Sequence, residues 1–154
     1  MNTAPERDPA GKHYKRPESV LVVVHCDGQV LLLKRADHPD FWQSVTGALE
    51  WGEAPRSAAI RELAEETGIR ETQNLIDHQF SNRFEILPEW RYRYAPGTTE
   101  NLEHVFSLSL AAMPAVVIDP LEHSNFLWLP IAEAVDKAWS WSNRRAIEKI
   151  LPSA

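Results

Sequence analysis

The chain has 154 residues, with 16 Lys plus Arg against 22 Asp plus Glu, a formal charge of −6. At 44% hydrophobic and 25% charged it is one ordinary globular domain, long enough to hold a core without disulfide staples. The acidity argues against sequence-independent DNA binding, which runs on excess Lys and Arg. A polyanionic small substrate would therefore need something other than bulk charge to attract it, and a divalent cation is the usual means.

The single cysteine, Cys26, excludes an intramolecular disulfide and reads as a small buried hydrophobe, which suits a reducing compartment. No stretch approaches the ~20 apolar residues of a membrane span, and the first residues hold no apolar signal region. These features predict a cytoplasmic protein with neither a nucleic-acid nor a membrane partner.

Residues 1–13 are polar and aperiodic and read as a flexible N-terminal segment, leaving 14–154 as one domain. The β-branched run 19–25 (SVLVVVH) predicts a strand buried on both faces. Asp27-Gly28 is a tight-turn signal, so 29–35 (QVLLLKR) is the returning strand of a hairpin. Residues 37–40 read as a loop and 41–46 (FWQSVT) as a strand. Pro55 suits a first helical position and Gly68 the position just past an end, so 55–67 is a helix. Strands are expected at 75–80, 90–94 (WRYRY), 103–110 and 126–129. Pro130 opens a short helix over 131–138, and Ser142 reads as the N-cap of a last helix ending near Leu151. This order predicts an α+β domain, a mixed sheet with flanking helices.

The chemistry concentrates in 47–69. At 100° per residue, with Ile60 at zero, Leu63 falls at about 300°, Ala64 at about 40° and Thr67 at about 340°, an apolar face. Glu62, Glu65 and Glu66 fall at about 200°, 140° and 240° on the opposite face. Like charges one turn apart repel, and Mg²⁺ relieves that repulsion while leaving coordination sites for water and substrate phosphates. The helix alone fits a solvated acidic face equally well, with Arg61 and Glu65 as an i,i+4 surface pair.

The spacing of the whole segment decides between the two. Gly47, Glu53, Arg61, Glu62, Leu63, Glu65, Glu66, Gly68 and Ile69 fill all nine fixed positions of a pattern that resembles the Nudix hydrolase signature. The resemblance implies a mixed sheet sandwiched between helices (an α/β/α sandwich), with this loop–helix–loop as its catalytic platform. It implies hydrolysis of a phosphoanhydride, assisted by Mg²⁺ or Mn²⁺. By the same resemblance Glu62 and Glu66 are the principal metal ligands, Glu65 a further ligand or base, and Gly47 a carbonyl ligand. Glu53 pairs with Arg61 to orient the loop. Glu122, from outside the helix, completes the metal site or holds the attacking water.

Flanking blocks at 14–17 (YKRP), 40–47 (DFWQSVTG), 93–97 (RYAPG) and 141–144 (WSNR) resemble the branch of this family that removes pyrophosphate from a pterin triphosphate. That implies substrate contacts at Lys15, Arg35, Thr46, Phe84, Glu85, Ile86, Leu87 and Ser142. A (d)NTP or a dinucleoside polyphosphate stays open as the substrate, as does a non-catalytic nucleotide-sensing module. Such modules lack one of the metal-binding Glu, whereas all three are present here. His104 and His123 are set aside as metal ligands because Mg²⁺ prefers oxygen. None of the six Trp is assigned to stacking.

Overall fold

The computed structural model describes residues 14–152, so the expectation for 1–13 lies outside the described residues. Strand β1 (Glu18–Cys26) turns at Asp27-Gly28 into β2 (Gln29–Arg35). Both turn residues have positive φ, 55° and 76°, the conformation a type I′ hairpin turn requires. The predicted strand over 41–46 is two short strands, β3 (Trp42–Gln43) and β4 (Val45–Ala48). Helix α1 (Pro55–Thr67) ends at Gly68, whose φ of 76° is left-handed. Next come β5 (Leu75–Glu85), β6 (Glu100–Ser109), β7 (His123–Pro130), α2 (Ile131–Lys137) and α3 (Trp141–Ile150).

The sheet is mixed. Strand β1 runs parallel to β6 along its length, and β6 pairs antiparallel with β5. On its other edge β1 pairs with β4 through Ser19–Val22, and with β2 only at His25 and Cys26. Strand β2 therefore diverges from β1 beyond the hairpin turn, pairing with β7 on one side and with β3 on the other. This divergence opens the sheet.

Alternation along β1 assigns its two faces. Val20, Val22 and Val24 pack with Ala58, Ala59 and Leu63 of α1, while Leu21 and Val23 pack with Ala134, Ala146 and Ile147 of α2 and α3. A strand buried on both sides needs the unbroken apolar run that 19–25 supplies, and the result is the expected sandwich. No helix among the described residues is long and apolar enough to cross a membrane.

Three expectations are corrected. Residues 90–94 are not a strand: a 3₁₀ helix spans Pro88–Arg93. Its three-residue turn sets Trp90 above Arg93, and Pro88 favours a helical start over a strand. Ser142 is not the N-cap of α3. Ser140 is, its hydroxyl accepting the Asn143 N–H at 3.2 Å, while Ser142 is buried in the first turn.

The third correction concerns α1. Ile60 is 40% exposed, and the buried face carries Ala58, Ala59, Glu62, Leu63, Glu66 and Thr67. Glu62 and Glu66 thus turn toward the sheet, while Glu65, its side chain 59% exposed, turns to solvent. Two small alanines let the helix sit close enough to the sheet to outweigh the pull of one isoleucine.

Candidate active site

The two sheet-facing glutamates reach the edge of the sheet where β4 passes beneath α1. Gly47, on β4, points to the α1 face with its ladder partner Val20. A Cβ there would collide with the Glu62 carboxyl group, so only glycine admits this approach. Glu62 and Glu66 share a hydrogen bond, which requires a proton between them. Burial first, then this bond and the charges of Glu62 and Glu122, push the Glu66 carboxyl well above the usual range. Burial also raises Glu62, despite the compensating bond to Glu66 and the charge of Arg61. Oε1 of Glu66 is buried with no hydrogen-bond partner.

Arg61 organises the loop before α1. It grips Glu53 through Nε (2.9 Å) and Nη2 (2.8 Å), and donates to the Ala48 carbonyl (3.1 Å) and to Glu62 (2.6 Å). Its Glu65 contact, at 3.5 Å, is the long one. Burial opposes the Glu53 charge, but the Arg61 fork and the Glu50 N–H outweigh it and hold Glu53 below its ordinary value. Glu53 in turn accepts from the Glu50 N–H at 2.9 Å. The segment from 47 to 53 is thus clamped to the helix.

These groups line one end of a cleft of about 760 Å³. Glu62, Glu65, Glu66 and Gly47 come from α1 and β4, and Glu122 with Asp119 from the loop before β7. The cations lining it are Lys15, Arg35, Arg93 and Arg144. Lys15 is exposed as a residue, yet enclosure first, then Arg93 and Arg35, hold its ammonium below the ordinary lysine range. Arg35 forks onto Asp37 at 2.8 Å and lies 4.9 Å over the Trp90 ring. Trp90 meets Trp139 edge-on at 6.3 Å, and Trp139 stacks on Phe41 at 4.0 Å, forming an aromatic wall.

Every residue expected at the substrate, namely Lys15, Arg35, Thr46, Phe84, Glu85, Ile86, Leu87 and Ser142, lines this cleft. They differ in what they can offer. Thr46 already donates its hydroxyl proton to the Val20 carbonyl at 2.8 Å, and the Ile86 side chain is buried. Glu85 lies 3.4 Å from Arg91. Arg61 and Glu53 do not line the cleft; Arg61 reaches it through Glu62, Glu65 and the Ala48 carbonyl. Among the described residues no three His, Cys, Asp or Glu side chains already converge in metal-ligating geometry. The expected ligands Glu62 and Glu66 are together, while Glu65 and Glu122 are exposed beside them.

Residue spacing did not disclose several further members of the site. Arg93, Tyr94, Asn101, Glu103, Asp119, Trp139 and Trp141 line the cleft as well. His123 is buried, its Nε2 is 3.9 Å from Glu66, and burial first, then Arg35, lowers its pKa to about 4. It is therefore a neutral neighbour of the carboxylates. A polar residue on the inward phase of a strand, as Glu103 is in β6, was the available signal.

A NUDIX-domain profile matches residues 15–150. The chain belongs to the Nudix family. Within it, the chain is 46% identical over 148 residues to the dihydroneopterin triphosphate diphosphatase of Escherichia coli (strain K12), covering 93% of this chain and 97% of that one. It is 43% identical over 143 residues to the enzyme of the same name from Haemophilus influenzae, covering 90% and 89%. The solved structure of the E. coli dihydroneopterin triphosphate pyrophosphohydrolase superposes with a TM-score of 0.85 at 46% identity, covering 92% of this chain and 99% of that one. The Nudix signature and the sandwich read from the sequence thus coincide with the family and the fold.

Proposed function

We propose that this Nudix protein is a Mg²⁺-dependent pyrophosphohydrolase that cleaves dihydroneopterin triphosphate to dihydroneopterin monophosphate and pyrophosphate. The observation that carries the reading is a single cleft joining a buried Glu pair to Lys and Arg side chains and a row of buried polar groups, in a chain so similar to two enzymes of that name. A divalent cation fits the residues present. The partnerless Oε1 of Glu66, together with the Glu62 carboxyl packed against Gly47, favours a hard ion.

Glu62 and Glu66 would hold the ion, with Glu65, Glu122 and the Gly47 carbonyl available to it. When bound, it supplies polarisation of a phosphoryl oxygen and activation of water. The remaining work belongs to the chain. Lys15 and Arg35 position the triphosphate, for which a guanidinium fork is well shaped. Arg61 and Glu53 fix the orientation of Glu62. Glu65 or Glu122, both solvent-accessible, accepts the proton of the attacking water. Thr46, Ser142 and the segment from Phe84 to Leu87 enclose the rest of the substrate. A single buried cysteine fits the cytoplasm, where we place the reaction.

The test is a panel of dihydroneopterin triphosphate, the eight common (d)NTPs and a dinucleoside tetraphosphate in Mg²⁺, with pyrophosphate and phosphate assayed separately. The expected result is preference for the pterin, with pyrophosphate released as one unit. Equal or better turnover of a nucleotide overturns the substrate. No turnover by folded protein in Mg²⁺ or Mn²⁺ overturns the enzyme reading in favour of a sensing module.

A further inference from the structure

The inner end of the cleft holds a carboxyl group that the reaction above does not use. Glu103 of β6 is 4% exposed, yet it lines the cleft. Its ladder partners are Ser19 on β1 and Asn82 on β5, so the three side chains form one row across the sheet, on the α3 face. Phe84 and Asn101 form the adjoining pair, and Asn101 donates to the Ser19 hydroxyl at 2.8 Å. Ser142 and Asn82 are polar neighbours of the Glu103 carboxyl, with Asn82 Nδ2 donating to the Ser142 carbonyl at 3.4 Å, and the Glu103 Oε1 is buried with no partner. No Lys, Arg or His ion-pairs with it among the described residues.

A buried carboxyl oxygen without a donor is costly in the free protein. The cost is recovered when a ligand brings the missing donors. Of the heterocycles a triphosphate can carry, a 2-amino-4-oxopyrimidine ring presents two adjacent donors, its ring N3–H and its exocyclic amine. That pair matches the two oxygens of one carboxylate. Adenine and cytosine lack it.

We propose that Glu103 is the specificity-determining residue of the ring subsite, accepting the N3–H and 2-amino protons of a 2-amino-4-oxopyrimidine heterocycle, with Asn82 and Ser142 beside its carboxylate. This deepens the substrate reading above and rests on it. Burial raises the free carboxyl to about 7 despite the neighbouring Ser142 and Asn82, so a donor-rich ligand also stabilises the ionised form.

GTP and ITP isolate the interaction, because they differ only in the 2-amino group. In the wild-type protein with Mg²⁺, kcat/KM for GTP is expected to exceed that for ITP by about 10- to 100-fold, the loss expected for a hydrogen bond to a charged group. In Glu103→Gln the ratio should fall toward one, mainly through KM, because the amide presents an N–H where the carboxylate accepted. Titration with neopterin, which carries the ring without phosphates, should show the same loss and needs no turnover. Glu103→Asp, which keeps the charge on a shorter stem, serves as the second variant and should regain part of the discrimination. A wild-type ratio near one, or an equal loss on GTP and ITP in the variants, overturns the proposal. Preference for GTP over dihydroneopterin triphosphate would instead sink only the substrate reading and leave the Glu103 ratio intact.

Discussion

Gly47 shows how one missing atom shapes the site. Its hydrogen stands where a Cβ would meet the Glu62 carboxyl group. Gly47→Ala should therefore displace Glu62 by an ångström or more, and a misplacement of that size costs on the order of 100-fold in rate. The melting temperature should change little, because the clash lies at the cleft and the flexible carboxylate can yield. A variant with near-normal kcat/KM would show that Glu62 need not sit against β4. Glu103 makes a second residue-scale case. Burial raises its folded pKa to about 7 from an ordinary 4.5, so between those values the folded state binds the extra proton. Stability from this group is then greatest below pH 4.5 and is lost as pH rises through 7. Thermal melts of Glu103→Gln should match the wild type near pH 5 and exceed it near pH 8. Identical pH profiles would show that Glu103 stays ionised at no cost.

At the scale of elements, the N-terminus of α3 is held to the sheet by a reciprocal pair. Asn143 Oδ1 accepts the Ser44 N–H at 2.8 Å, and Asn143 Nδ2 donates to the Ser44 hydroxyl at 2.9 Å, both residues being fully buried. Asn143→Ala leaves that N–H unpaired and should cost about 1–3 kcal/mol, or roughly 2–10 °C in melting temperature. It should also loosen Ser142 and Trp141 at the cleft, which a raised KM with a smaller change in kcat would report. Elements with local signals were legible in the sequence: the hairpin from Asp27-Gly28, and α1 from Pro55 and Gly68. The rotation of α1 was not, because Ile60 dominates a helical wheel while Ala58 and Ala59, which decide the close packing, carry little weight on it. The segment 90–94 misled because alternating bulky and charged residues fit a short strand as well as a 3₁₀ turn. Glu62, Glu66 and Gly47 were legible as candidates because fixed spacing within one segment sets their proximity. Glu103, Asp119 and Trp139 were not, since they reach the cleft from β6, the loop before β7 and the link between α2 and α3, and only tertiary pairing brings those together.

The whole molecule carries a charge of −6 yet offers a cationic rim at the mouth of an acidic cleft, so attraction of a polyanion is local and depends on relieving the carboxylates inside. That relief should be measurable as stability. An ion that binds the folded state alone adds about 2.7 kcal/mol at 100 times its Kd, which for a domain of this size is roughly 5–10 °C. Mg²⁺ should therefore raise the melting temperature of the wild type, most clearly near pH 8, where Glu62 and Glu66 are driven toward full ionisation. Glu66→Gln removes one of the two charges while keeping the shape. Its metal-free melting temperature at pH 8 should equal or exceed that of the wild type, because burial and Glu62 both disfavour the Glu66 charge. The Mg²⁺ increment should vanish in the same variant, together with hydrolysis. A more stable protein that no longer responds to Mg²⁺ would show that the fold gives up stability to keep its carboxylates ready for the ion. A Glu66→Gln protein that keeps the full increment would place the ion elsewhere in the cleft.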